Sequence, residues 1–529
     1  MISELEKNLA QRVTVGDIFR RHARHAPDKT ALVDKRGDRE IRLNYRELNT
    51  RMNRFANALT AQGYGPGDRV AFICLNTWEF IVSLFGCAKG GTIVVPLNPA
   101  MSPDDLVYMI NQSESTCIVA DDIFTPMIDG IKSQCPGLKH FISIPLFGGR
   151  APEYFLAFDE FIKDQSEAEI ETIIWERDTF GIYYTSGTTS RPKGTVLSHL
   201  TLYIMTLCNA IEFGLKRGTS SIMALPAFHA AQNGINLVVM LMEGKLVISR
   251  AFNAVEVLET VQTEKITFML LLPMLWKVLL EAPQRKDYDL SSLDFGIYAM
   301  APLDKPTLTR LIEEITPNFF LATGQTEFIP STENFKPEWQ LRKTGNYWGE
   351  PAICVETVIM DDYGRILPRG EVGEIVRRGG GTLTEYLKNP EATNEKLKWG
   401  WAHSEDIGYF DEDWQLAFVD RKKDMIKTGG ENVPSLKVEQ VILGHPKISE
   451  VAVVGLPHER WSEAITAFVV LKPGSDLGEE EIVQYCKREL GGFEVPKKVV
   501  LVDRLPKTST GKLQKNVLKK QYQSLYAEG

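Results

Sequence analysis

The 529-residue chain has few cysteines, and its seven, at 74, 87, 117, 135, 208, 354 and 486, form no Cys-x-x-Cys pair. An odd, scattered set excludes a disulfide framework and a thiolate zinc site, and points to a reducing, cytoplasmic setting. Long hydrophobic runs are missing too. The most apolar window, Ile266 to Trp276, contains Pro273 and falls far short of the ~20 residues a membrane span requires. The opening residues, Met1-Ile-Ser-Glu-Leu-Glu-Lys, lack the basic and then apolar stretches of a secretory signal. Positive charge is not in excess: 60 Lys and Arg against 69 Asp and Glu leave −9, so nucleic acid is not an expected partner.

What is present is ordinary globular composition, 43% hydrophobic and 24% charged. At ~150 residues per domain the length suits three to four domain equivalents. Charge is unevenly spread. From Arg421 to the end there are 18 Lys and Arg against 14 Asp and Glu, a net +4 that leaves −13 for residues 1–420. A basic tail is either a solvated module or a surface that meets an anionic ligand.

Hydrophobic periodicity alternates between the helix and strand patterns. Leu48, Met52, Phe55, Ala56 and Leu59 share one helical face, begun by Asn44 with Glu47 three residues on as a capping box. Arg69–Cys74 reads as a buried strand, Glu79–Gly90 as a helix and Ile93–Val95 as the next strand. This grammar continues through Cys117–Ala120, Phe180–Tyr184, Ser221–Leu225 and Lys245–Ser249, and predicts parallel sheets covered by helices. After Pro351 short alternating strands such as Val355–Met360, with glycine turns, mark a small β region. Beyond Arg421, helices over Lys437–Leu443 and Glu479–Leu490 and strands over Val451–Val454 and Ala467–Leu471 suit a compact α+β domain. The expected architecture is therefore a large α/β body over 1–420 and an α+β C-terminal domain over 421–529.

The strongest local motif is Tyr184-Thr-Ser-Gly-Thr-Thr-Ser-Arg-Pro-Lys-Gly194, directly after an apolar strand. Gly187 lets backbone amides approach phosphate oxygens, Thr185, Ser186, Thr188 and Thr189 add hydroxyl donors, and Lys193 adds a point charge. It is not a Walker A loop, because Pro192 stands where glycine is required and Gly194 follows the lysine. Composition alone also suits a solvated turn.

The loop resembles the phosphate-binding signature of the adenylate-forming superfamily, which includes acyl-CoA synthetases, peptide-synthetase adenylation domains and luciferases. Five further matches follow in the family's order. They are Leu225-Pro-Ala-Phe-His229, Ala299-Met-Ala-Pro302, Thr323-Gly-Gln-Thr-Glu327, Trp401-Ala-His-Ser-Glu-Asp406, and Asp420-Arg-Lys-Lys-Asp424 with Thr428-Gly-Gly-Glu-Asn432. Pro506-Lys-Thr-Ser-Thr-Gly-Lys512 completes the series, so the resemblance covers nearly the whole chain.

The resemblance implies an ATP-dependent acyl-CoA synthetase, with ATP, Mg2+ and CoA beside a small-molecule carboxylic acid of open chain length; the alternative is an adenylating enzyme that loads the acyl group onto a carrier protein or other acceptor. A carboxylate attacking the α-phosphate needs cations and donors to offset repulsion between anions. By resemblance Glu327 holds Mg2+, Thr326 donates to the α-phosphate, and Lys512 bridges the carboxylate and α-phosphate. Ala299, Met300, Ala301, Thr323, Gly324 and Gln325 border the adenine, while Asp406 and Arg421 meet the ribose. Phe228, Asn233, Tyr298 and Trp348 line the acyl pocket, and His229 stands between it and a CoA tunnel formed by Gly429, Gly430 and Glu431. Lys423 matches the hinge about which the family's C-terminal domain rotates, making the basic tail a mobile lid. A second copy of the chain is left open as a partner.

Some positions depart from the pattern. Thr323 replaces an aromatic residue, Ser404-Glu405-Asp406 replaces Thr-Gly-Asp, Pro434 comes one position early and Lys437 replaces a frequent glutamate. No aspartate lies between Phe228 and Asn233 to pair with an α-ammonium, so a plain carboxylic acid is expected instead of an amino acid.

Overall fold

The computed structural model describes residues 1–37, 39–146, 148–185, 191–299, 303–507 and 513–526. The chain divides into two compact units, one comprising 1–185, 191–357 and 377–402, the other 358–376 and 403–526. The expected boundary at Arg421 falls inside the second unit, where the strand Leu416–Arg421 pairs along its length with Ala402–Phe410.

The first unit holds two sheets. In one, the strands run in the order Glu385–Tyr386, Lys193–Ser198, Thr179–Thr185, Ile93–Pro96, Arg69–Ile73, Cys117–Asp121, His140–Ile144, Leu156–Ala157. The pairs from Thr179–Thr185 onward are parallel, and the first two are antiparallel. Their central strands are buried throughout, which is why they read as continuous apolar runs instead of alternating ones. The second sheet runs from Tyr347–Pro351 through Phe328–Phe335, Phe319–Gln325, Phe295–Ala299, Phe268–Leu271, Ser220–Met223, Lys245–Ile248 and Thr30–Arg36 to Arg39–Asn44.

The helix Trp78–Gly90 is buried on every side, as its apolar circumference requires. Gly86 admits the neighbouring helix Tyr45–Ala61: a Cβ there would stand 2.9 Å from Phe55 Cδ1 and 3.0 Å from Met52 O. That neighbour begins with the expected capping box, Asn44 accepting from Glu47 N and Glu47 accepting from Asn44 N. Leu48, Met52, Phe55, Ala56 and Leu59 are all buried.

Val355–Met360, Gly373–Gly379, Ala402–Phe410 and Leu416–Arg421 follow one another in a sheet, with residues 358–360, 373–376, 403–410 and 416–421 in the second unit. A further sheet orders Glu431–Val433, Ile426–Thr428, Ser462–Leu471 and Ile448–His458, with Lys498–Leu501 also on Ser462–Leu471. Helices Ser435–Leu443, Glu479–Glu489 and Lys515–Gln521 accompany it. The described cysteines are all free, and only Cys354 is exposed. Among the described residues no helix is long and apolar enough to cross a membrane.

Candidate functional site

The phosphate-loop motif spans a hairpin. Thr179–Thr185 pairs antiparallel with Lys193–Ser198, and Thr185 stands opposite Lys193. Ser186, Gly187, Thr188 and Thr189 lie outside the described residues, as do Met300, Ala301 and Lys512. A third strand adds a residue that no motif singled out: Tyr386, paired with Thr195. The Lys193 ammonium lies 5.2 Å from the centre of the Tyr386 ring, a cation–π distance. The Tyr386 hydroxyl donates to Glu327 Oε1 at 2.7 Å, and Leu383 N donates to Glu327 O at 2.9 Å. The loop lysine and the carboxylate assigned to the metal are thus joined through one phenol, although Tyr386 and Glu327 are 59 positions apart.

Thr326 and Glu327 form the turn between Phe319–Gln325 and Phe328–Phe335, with Gln325 opposite Phe328 and a register shift between Thr323 and Gln325. Thr323, Gln325, Thr326 and Glu327 are half-buried and Gly324 is exposed. Ala299, half-buried, ends the strand Phe295–Ala299 and is paired with Ala322 in the next strand.

The Leu225–His229 segment is a turn held by another unmotivated residue, Asn76. Its buried amide donates to the carbonyls of Met223, Leu225 and Ser249 at 3.0–3.2 Å, and its carbonyl accepts Ala227 N at 2.9 Å. His229 then stands at the N-cap position of the helix Ala230–Leu241 without a side-chain capping bond, its ring centred 4.8 Å from that of Phe228. Burial pushes the His229 imidazole below its ordinary range, so it is neutral near pH 7. One turn on, Asn233 donates to the Tyr183 hydroxyl at 3.1 Å. His229 Nε2 and Asn233 Oδ1 are buried without a protein partner, the state expected of groups that meet a ligand or water.

The aromatic candidates differ in setting. Tyr298 is core: its ring stacks on Phe319 at 5.8 Å and its hydroxyl donates to Gln340. Trp348 is half-buried, its ring 5.8 Å from the Arg377 guanidinium.

In the second unit Asp406 and Arg421 face each other across paired strands, Arg421 Nε 3.9 Å from Asp406 Oδ1. Asp406 is buried, and its backbone N–H is held by Ser404 Oγ at 3.0 Å. Between them in sequence, Glu405 has φ +65°. A glycine there would carry no side-chain penalty. Lys423 is exposed, two residues beyond Arg421. Gly429 and Gly430, with φ +59° and +91°, form the two-residue turn between Ile426–Thr428 and Glu431–Val433. A turn with two positive φ values requires such residues. A Cβ on Gly429 would also meet Trp461 at 3.1 Å. Glu431 is exposed, and Lys437 pairs with Glu494 at 2.6 Å.

Over residues 19–387 the chain matches the family of AMP-binding enzymes, and over 437–512 the AMP-binding enzyme C-terminal domain. It is 31% identical over 512 residues to a long-chain-fatty-acid–CoA ligase of Mycobacterium tuberculosis, covering 96% of this chain and 98% of that protein. It is 32% identical over 503 residues to a feruloyl-CoA synthase of an Amycolatopsis species, covering 95% and 98%. The structure of o-succinylbenzoate coenzyme A synthetase from Bacillus subtilis in complex with ATP and magnesium ion is similar, with TM-score 0.83 and 26% identity. That match covers 95% of this chain and 99% of the other. The chain belongs to the AMP-binding enzyme family. Within that family it stands in the acyl-CoA synthetase branch, and is an ATP-using acid–thiol ligase of the AMP-forming type.

Proposed function

We propose that this ligase condenses a carboxylic acid without an α-ammonium group with ATP, releasing pyrophosphate, and passes the acyl group from the adenylate to the thiol of CoA, releasing AMP. The observation that carries this reading is the convergence of Lys193, Tyr386 and Glu327 on one wall of the first unit.

Each chain group has a task that follows from charge. Lys193 and the hydroxyls of Thr185, Ser186, Thr188 and Thr189 bind the phosphates, and Thr326 donates to the α-phosphate. Glu327 fits Mg2+: it offers a hard carboxylate oxygen while Tyr386 orients the group, and this ion is commonly held by one or two carboxylates together with substrate phosphates. When bound, Mg2+ neutralises phosphate charge. Asp406 accepts the vicinal ribose hydroxyls with its two oxygens, assisted by Arg421. Ala299, Met300, Ala301, Gly324 and Gln325 flank the base. Lys512 supplies the positive charge that brings carboxylate and α-phosphate together. His229, neutral, and Asn233 present their unpartnered polar atoms along the acyl path, with Phe228 and Trp348 as apolar walls and Tyr298 in the core behind them. Gly429, Gly430 and Glu431 border the CoA thiol's route, and Lys423 is the hinge.

The test is pyrophosphate release over a panel from short aliphatic to hydroxycinnamic acids, with and without CoA. Acid-dependent release, with a thioester only when CoA is added, supports the reading. Release without thioester favours a carrier-protein acceptor, and silence on every acid refutes it. Lys512→Ala is expected to slow adenylation by about 100-fold or more, the scale of losing one transition-state donor. CoA attack on preformed adenylate should be nearly spared; equal loss of both steps would refute the assigned rotation.

A further inference from the structure

Behind the Thr326–Glu327 turn lies a buried ion pair used by no motif. Glu333 and Arg377 are both almost completely inaccessible, with Arg377 Nε 2.7 Å from Glu333 Oε1 and Nη2 2.8 Å from Oε2. Three threonine hydroxyls donate to the same carboxylate: Thr332 at 2.7 Å and Thr323 at 2.9 Å to Oε2, and Thr357 at 3.0 Å to Oε1. Desolvating two charges costs more than apolar packing of the same volume, so stability alone is a weak reason to keep such a pair. Its second Nη, Arg377 Nη1, is buried without a partner, a further cost.

The contacts say what is gained. Glu333 stands opposite Thr323 across the two strands that carry the turn, at the point where a register shift interrupts the regular ladder. Where the ladder weakens, the carboxylate takes over: it holds Thr323 on one strand and Thr332 on the other, and Thr332 also reaches Thr323 O at 3.3 Å. The family's aromatic residue at position 323 has no hydroxyl on its backbone-proximal carbon to offer, whereas threonine does. The substitution at Thr323 and the charges at Glu333 and Arg377 therefore form one device.

We infer that Glu333, held by Arg377, is a positioning residue that aims the Thr326–Glu327 turn at the nucleotide. This deepens the function proposed above, resting on its reading that the turn meets ATP.

Glu333→Gln alone would strand the Arg377 charge, so the variant to make is Glu333→Leu with Arg377→Met, which removes both charges at similar volume. Thermal unfolding checks that it folds. Calorimetric titration with Mg-ATP, without acid, and steady-state kinetics then read the effect. The expected result is about tenfold weaker Mg-ATP binding and a matching rise in KM for ATP, with KM for acid and CoA unchanged. Thr323→Val should weaken ATP in the wild type but add nothing in the paired variant; equal loss in both backgrounds would mean that Thr323 acts directly and would overturn the inference. Wild-type ATP binding in the folded paired variant would also overturn it. Should that variant not fold, Thr332→Val is isosteric and removes only a donor to Glu333. It is expected to raise KM for ATP several-fold, and an unchanged value refutes the device. A wild-type chain that binds Mg-ATP but activates no acid would sink the function above while leaving this comparison intact.

Discussion

Glu405 occupies the left-handed region, φ +65°, next to the carboxylate assigned to the ribose. An L-residue with a Cβ pays roughly 1 kcal/mol there that glycine avoids. Its backbone is held on both sides, Glu405 N donating to Glu374 Oε1 at 3.1 Å and Glu405 O accepting Lys422 N at 2.8 Å. The conformation is therefore imposed by the strands and not chosen by the residue. Glu405→Gly is expected to raise stability by about 0.5–1 kcal/mol, measured as a shift of the denaturant midpoint at constant slope. A loss of stability would show that the glutamate side chain makes a compensating contact.

At the scale of elements, the Leu225–His229 turn depends on Asn76, which lies 173 positions from one of its partners, Ser249. Asn76→Ala leaves several buried carbonyls and one N–H short of a partner, at a cost of about 3 kcal/mol. Chemical denaturation should show that loss. The same variant should raise KM for the acid more than KM for ATP, because the turn it releases carries Phe228 and His229. Asn76 was illegible in the sequence for a physical reason: a lone asparagine before a helix reads as a local cap, while its bonds are to segments far away in the chain. Tyr386 was missed on the same grounds, since its meaning lies in two strands it joins by pairing and by its hydroxyl. Arg377 did leave a signal, a charged residue within a short strand whose neighbours Ile375 and Val376 are buried. By contrast the Asn44–Glu47 capping box and the apolar face after it were legible, because both are made by residues within about three turns of one helix.

Over the whole molecule, buried carboxylates contribute to acid stability in both units, Glu264 in the first and Glu374 in the second among them. Burial works to raise Glu264, but hydrogen bonds from Arg42 and Lys245 hold it at about 2. Burial likewise opposes Glu374, yet His403 and Lys422 bring it to about 2. A carboxylate depressed in the folded state contributes stability that is fully present above its unfolded value, near 4.5, and is lost as pH falls toward 2. Urea midpoints should therefore fall steeply between about pH 4.5 and 2, and Glu374→Gln should flatten that limb for the second unit. An unchanged slope would mean that the pairs do not survive in solution.

The sequence by itself determined the alternation of strands and helices, the motif order, and through it the family, because periodicity and turn chemistry act over a few residues. Only the tertiary structure decided which distant side chains stand behind those motifs. Tyr386 reaches Glu327, Asn76 braces the Leu225–His229 turn, and Glu333 with Arg377 backs the Thr326–Glu327 turn. Hydrogen bonds and ion pairs of this kind take their strength from burial and a geometry of a few tenths of an ångström. Neither quantity exists until the sheets have formed.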